Sequence, residues 1–341
     1  VKALVIRLSS IGDVVHTLPA LAALRAHGWE VEWIVEPAAT LILEGHPQIH
    51  RTISVPRVSA LRLRAIRVLV QTLRSEAFDV AIDFQGLWKS AAWAHFSGAV
   101  RVIGYNASWR REPASSWLIP EQFSQPSGII HVIDKNLALL RTLDIEAVGL
   151  REFPLPPTQV QAKKVERELT EMGVGPFAIL NPGGGWSSKL WPAERYGLVA
   201  RMLKDRGLTS LVTWGPGEER LANDVVAASG GAATKAFPTD LMEFVELARR
   251  AQVVVAADTG PLQLACAIGA AVVGIFGPTD PDRNGPFFRD DVVVRRTPLC
   301  APCYRRHCTL HDGVMKAIQP DEVLRAIERR LSGAMRGRTH V

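Results

Sequence analysis

Residues 1–20 read VKALVIRLSSIGDVVHTLPA, and the changes of pattern inside them decide the fold. Residues 1–8 are almost all apolar, broken only by Lys2 and Arg7, as in a strand buried on both faces of a parallel sheet. Ser9, Ser10, Ile11, Gly12 and Asp13 interrupt that run. Apolar residues then return at Val14, Leu18, Leu21 and Leu24 with helical spacing. A strand, a tight Ser/Gly turn and a helix place an acidic side chain at the carboxyl end of a sheet, where open α/β folds bind ligands. Asp13 is therefore the leading candidate for a general base, with Ser10 and Gly12 shaping the turn that presents it.

The same grammar recurs outward from this unit. Strands are expected at 29–35 (WEVEWIV), 51–55 (RTISV) and 78–84 (FDVAIDF). The last runs into a polar turn at 85–90 (QGLWKS) and a small-residue helix at 91–96. A second polar loop, carrying Lys89, should thus reach the same crevice. A short strand at 100–104, a charged loop at 109–113 carrying Arg111, and an amphipathic helix at 131–143 come next. The proline-rich stretch 151–158 (REFPLPPT) reads as a linker. Beyond it lie a charged helix at 161–172 and strands at 177–180, 210–214, 253–256 and 272–276. Each of these strands ends in a glycine-rich or polar loop, and a helix at 320–331 follows. This pattern predicts an α/β chain with a Rossmann-like domain over 1–152, a linker at 153–159, a second Rossmann-like domain over 160–331 and a frayed tail at 332–341. The two domains are expected to face each other across the active site.

Composition bounds the alternatives. The 341 residues are 47% hydrophobic and 22% charged, which suits soluble globular domains. No run approaches the roughly eighteen apolar residues of a membrane span, and the opening strand carries no charged leader, so no signal peptide is expected. Four cysteines in a chain this long are no disulfide framework, so a reducing cytoplasm is the expectation; a monomer is expected separately. The net charge of +6 hints at an anionic partner, but no zinc finger or aromatic RNA-binding signature points to nucleic acid.

The positive charge is clustered. Between 57 and 74 there are five arginines and no acid, and Arg57, Arg64, Arg67 and Arg74 fall on one side of a helix. The face is either simply solvated or a dock for phosphates or anionic lipid heads, whose phosphate oxygens guanidinium groups bind in pairs. In the second half, NPGGGWSSKLWP (181–192) offers the amides of Gly184 and Gly185, the hydroxyls of Ser187 and Ser188, and the mobile charge of Lys189. Such a loop suits an anion, although a glycine-rich turn with no ligand has the same composition. It lacks the spacing of a Walker loop. In DTGPLQ (258–263), Thr259 and Gly260 stand where a helix N-terminus would offer free amides, and Asp258 reads as an N-cap or a site residue.

RLSSIGDVVHTLPAL, IDFQGLWKSA, WRREPAS, GGGWSSKLWP, DTGPLQLA and FGPTDP, in this order, resemble the ADP-heptose:lipopolysaccharide heptosyltransferase family. The first three are most similar to the type that adds the first heptose to the Kdo residue of lipid A. The resemblance spans the chain to about residue 331. It implies a GT-B fold and an inverting transfer from ADP-heptose that uses no metal or other cofactor. The acceptor would be a phosphorylated Kdo-lipid A at the cytoplasmic face of the inner membrane, with the enzyme in peripheral contact there. It implies Asp13 as the base. Lys189, Thr259 and Gly260 would lie on the donor phosphates, Asp258 and Gln263 on the donor side, and Glu218 or Glu219 near the ribose. Ser10, Gly12, Arg57, Arg64, Arg67, Lys89 and Arg111 are the acceptor candidates.

Two departures stand out. Family members usually have histidine where this chain has Gln263, which removes proton transfer from that position. Cys300, Cys303 and Cys308 with His311 have zinc-like spacing, but reduced thiols in a surface loop are the preferred reading. The competing functions are a second-heptose transferase of the same family, a GT-B sugar-nucleotide epimerase, and a nucleotide-binding module without turnover.

Overall fold

The computed structural model describes residues 1–55, 63–124, 126–303, 305–307 and 313–338. The chain divides into two compact units, Val1–Pro157 and Thr158–Val341. The first is built on β1 (Lys2–Ile6), β2 (Glu30–Val35), β3 (Arg51–Ser54), β4 (Val80–Asp83), β5 (Arg101–Tyr105) and β6 (Glu121–Phe123). The second is built on β7 (Phe177–Asn181), β8 (Thr209–Val212), β9 (Ala233–Lys235), β10 (Val253–Ala257), β11 (Val272–Phe276) and β12 (Val292–Arg295). Each set forms one parallel sheet, in the orders β3-β2-β1-β4-β5-β6 and β12-β11-β10-β7-β8-β9.

Both orders turn back at the first strand of their unit. The switch points lie between β1 and β4, where Ile6 pairs with Asp83, and between β7 and β10, where Asn181 pairs with Ala256. Loops leaving neighbouring strands diverge there and open a crevice. The central strands are buried along nearly their whole length, which explains their continuous apolar runs. On one face of the first sheet Leu4, Ile6 and Ala81 pack under Leu73, Ala91, Trp93, Ala94 and Ile119. One layer therefore contains helix Leu63–Ser75, helix Trp88–Phe96 and the segment just after the 3₁₀ turn Pro113–Leu118.

Several elements differ from expectation. The small-residue helix begins at Trp88, because Ser90 accepts the Leu87 amide with its hydroxyl and starts the helix early. Lys89 thus sits in a first helical turn and not in a loop. The 131–143 stretch is α-helical only over Val132–Leu139, where His131 caps the N-terminus, and tightens to 3₁₀ over Leu140–Leu143. The described part of the arginine helix starts at Leu63, so Arg57 lies outside the described residues.

Beneath the first switch point is a fully buried ion pair between Asp83, the last residue of β4, and Arg110. Asp83 also accepts the amides of Gln85 and Gly86, and Arg110 donates through Nε to Ser115 at 2.7 Å. Removing one partner strands the other charge away from water. We expect Arg110→Met to cost about 3–5 kcal/mol, measured by urea unfolding; a loss below about 1 kcal/mol would contradict this reading.

Candidate active site

At the first switch point β1 is followed directly by Arg7, whose side chain is buried against the outgoing end of β4. One guanidinium nitrogen donates to the Phe84 carbonyl, and Nη2 lies 2.6 Å from Asp13 Oδ1. The turn is braced again by Gln85, whose Oε1 accepts the Leu8 amide at 2.7 Å. Asp13 stands in the first turn of helix Ile11–Val15, and its Oδ2 accepts both the amide (3.1 Å) and the hydroxyl (2.9 Å) of Ser10. Thr17 donates back to the Asp13 carbonyl, and Asn136 ties Thr17 and the His16 carbonyl to Tyr105 on β5. The short helix is thereby fixed from beneath.

These contacts define the state of the carboxylate. Burial pushes its pKa up, but the Arg7 charge, His16 and the two Ser10 hydrogen bonds outweigh burial and hold it well below the usual carboxylate range. An ionised carboxylate offers about four acceptor positions. Arg7 and Ser10 supply three donors, which leaves room for a substrate hydroxyl on a half-exposed group.

At the second switch point three loops meet after β7, β8 and β10, which are neighbours in the sheet. Lys189 forms an ion pair with Asp258 at 2.6 Å, both side chains mostly buried, and its ammonium lies 4.4 Å from the Trp186 ring centre. Asp258 is not the N-cap: Thr259 takes that position for helix Gly260–Ala267. A Cβ on Gly184 would come within 3.1 Å of Thr259 Cγ2, so glycine is what lets the first loop lie against the third. Glu218 closes the second loop over the first. Its carboxylate accepts the Gly184 amide at 2.8 Å and the Gly215 amide at 3.0 Å, and a side chain at Gly183 would overlap it. Behind the loop, buried Trp191 donates to Ile318 and Asn181 donates to Thr213, which holds both of its ends.

Several candidate residues do other work. Ser187 and Ser188 donate their hydroxyls to the carbonyls of Arg306 and Arg305, so they fasten the 305–307 segment. Gly185 is exposed. Of the two acids after the Trp-Gly turn only Glu218 enters the loop; Glu219 pairs with Lys235 at 2.6 Å. Gln263 is buried and donates to the Asn284 carbonyl, which fastens the loop that follows β11. Lys89 is paired with Glu36, and Arg111 is exposed while its neighbour Arg110 carries the buried pair. Arg64 and Arg67 are exposed on their helix. The sequence pattern does not single out Arg7 or Arg110; the charged residue inside the apolar run 1–8 is the available signal for the first. Cys308 and His311 lie outside the described residues. Among those described, the trio of Glu30, Glu32 and His50 lies within metal-holding distance, but Glu32 is already matched by Lys2 and Arg51.

A sequence profile described as "Glycosyltransferase family 9 (heptosyltransferase)" matches residues 66–313. The chain belongs to glycosyltransferase family 9. Among relatives of this family 9 chain is lipopolysaccharide heptosyltransferase 1 of Pseudomonas aeruginosa, 30% identical over 90% of this chain and 87% of that protein. The protein of the same name from Escherichia coli K12 is 29% identical over 86% of this chain and 93% of its own length. Among solved structures, E. coli heptosyltransferase WaaC with ADP superposes with a TM-score of 0.74 at 23% identity, covering 97% of this chain and 98% of that one. The fold is therefore GT-B, and this family 9 chain is a glycosyltransferase. Among its described residues no helix is long and apolar enough to cross a membrane.

Proposed function

We propose that this glycosyltransferase moves L-glycero-D-manno-heptose from ADP-heptose to the Kdo residue of Kdo-lipid A, building the inner core of lipopolysaccharide at the cytoplasmic face of the inner membrane. In this reading Val1–Pro157 binds the acceptor and Thr158–Val341 the donor. The observation that carries it is the carboxylate of Asp13, held ionised and aimed by Arg7 and Ser10 at a sheet switch point. A sugar hydroxyl is too weakly acidic to attack unaided, so a carboxylate must take its proton as the new C–O bond forms. The ionised carboxylate takes that proton as bonding to the anomeric carbon makes the hydroxyl acidic. Attack opposite the departing ADP inverts the anomeric centre.

On the donor side, Lys189 and the amides at Gly184 and the Thr259–Gly260 helix start meet the charge that develops on the leaving diphosphate, a role a divalent ion plays elsewhere. Glu218, exchanged from the glycine loop, would turn to the ribose hydroxyls. Arg64, Arg67 and Arg111 are the acceptor-phosphate contacts, the guanidinium fork matching paired phosphate oxygens.

The test is a transfer assay with ADP-heptose in the presence of a chelator, read by mass spectrometry. Kdo-lipid A should gain one heptose with inverted anomeric configuration. Transfer only to an already heptosylated acceptor would mark the second-heptose enzyme. Conversion of the donor with no acceptor would mark an epimerase. Either result overturns the proposal.

A further inference from the structure

The outer side of the helical layer on the first sheet carries aromatic surface that the site above does not use. Trp117 is 82% exposed, Trp88 44% and Phe96 45%, and Val68 is also exposed. Tryptophan is seldom so bare on a soluble surface, where scattered single residues are the norm. These side chains belong to segments that touch one another. Arg74 donates to the Phe96 carbonyl, linking helix Leu63–Ser75 to helix Trp88–Phe96. The Trp88 amide donates to Glu112, and His95 meets the Leu118 carbonyl, so Pro113–Leu118 runs alongside the second helix. Their inward residues share one core against one face of the sheet, so the exposed residues look outward from a single layer. Next to it Trp109, partly exposed, lies 4.3 Å from the Lys135 ammonium.

The charge around this surface has one dominant sign. Helix Leu63–Ser75 contains no acid, and Arg64, Arg67 and Arg74 are all exposed on it, with Arg111 on the neighbouring loop. Glu112, an acid in this patch, is occupied by the Trp88 amide. Tryptophan prefers the boundary between headgroups and acyl chains, where its ring is apolar and its N–H stays wet. Arginines close to it are drawn to anionic headgroups. A soluble protein partner would be expected to match the aromatics without needing an acid-free arginine helix beside them.

We infer that this layer, with Trp117 and Trp88 as insertion points and the arginine helix as its charged fringe, is the surface by which the chain docks on an anionic phospholipid bilayer. The inference rests on the proposed lipid acceptor and names how the enzyme would reach it. Docking would be interfacial and reversible, because two or three rings and a few arginines fall far short of a spanning helix.

The test uses the full chain and extruded vesicles of phosphatidylcholine with and without phosphatidylglycerol. The chain should co-sediment with the anionic vesicles, with a blue shift in tryptophan emission. Trp117→Ser and Trp88→Ser should each weaken that partition by roughly tenfold. No binding by the native chain overturns the proposal, as does binding that both variants retain. Turnover of Trp117→Ser on an acceptor stripped of its acyl chains should be unchanged. A fall there as large as the fall in vesicle binding would assign Trp117 to the acceptor site and also overturn the docking surface. The vesicle assay uses neither donor nor acceptor, so it gives its answer even if heptose transfer is not found.

Discussion

Asp13→Asn is expected to lower transfer by roughly 10³-fold while leaving ADP affinity, measured by calorimetry, nearly unchanged. The asparagine keeps the size of the side chain and an acceptor for Ser10, so the loss isolates the missing negative charge. It also places an amide against Arg7, where Asp13 makes an ion pair at 2.6 Å. The same geometry sets a pH signature. In the proposed role Asp13 would work deprotonated, and its pKa is held below the ordinary carboxylate range. Turnover should therefore show no protonation of this group as pH falls from about 8 to about 5. In Arg7→Met burial would act without its main opponent. The acid limb should then move up, above the ordinary aspartate value near 3.9. Unchanged turnover in Asp13→Asn would remove Asp13 from the mechanism. A lost rate in Asp13→Asn with an unmoved limb in Arg7→Met would keep the base and reject the role given to Arg7.

Lys189→Met should reduce kcat/KM by roughly 10²–10³-fold and weaken ADP binding, because the leaving diphosphate loses its nearest mobile charge. The substitution has a second effect that must be separated from the first. Asp258 is buried beside Lys189, and a carboxylate left alone there is costly. The single variant should lose thermal stability as well as activity. Adding Asp258→Asn removes the stranded charge and should restore stability without restoring the rate. Recovery of both together would mean that the pair is structural and that another group meets the phosphates.

The parts of the fold that could be read from sequence were those whose burial is continuous. Strands β1, β4, β7, β10 and β11 announce themselves as apolar runs because both faces of their sheets are covered. Strands β6 (EQF), β9 (ATK) and β12 (VVVR) were not named: they are short edge strands, partly exposed, held in place by neighbours and not by their own pattern. The site divides in the same way. Asp13, Lys189 and Asp258 sit in local motifs and were named from them, but the pairing of Lys189 with Asp258, 69 residues later, depends on β7 lying beside β10. The capture of the Phe84 carbonyl by Arg7 and the closing of the glycine loop by Glu218 depend on strand order too. The polar stretch 85–90 places Lys89 in a loop on sequence pattern alone; a single serine hydroxyl moves the start of the helix to Trp88.

The contacts of Glu218 and Asp258 bear on which anions this chain will accept. Two amides and one ammonium that suit phosphate are already answered by the chain's own carboxylates. Entry of a diphosphate is thus an exchange of counter-ions, and its affinity is a difference between two sets of similar bonds. A lone orthophosphate can replace one carboxylate at a time and gains little by doing so, whereas a nucleoside diphosphate can replace both in one event. On the proposed donor role, resident carboxylates of this kind would favour linked phosphates over the abundant single ones, with no residue devoted to excluding the latter.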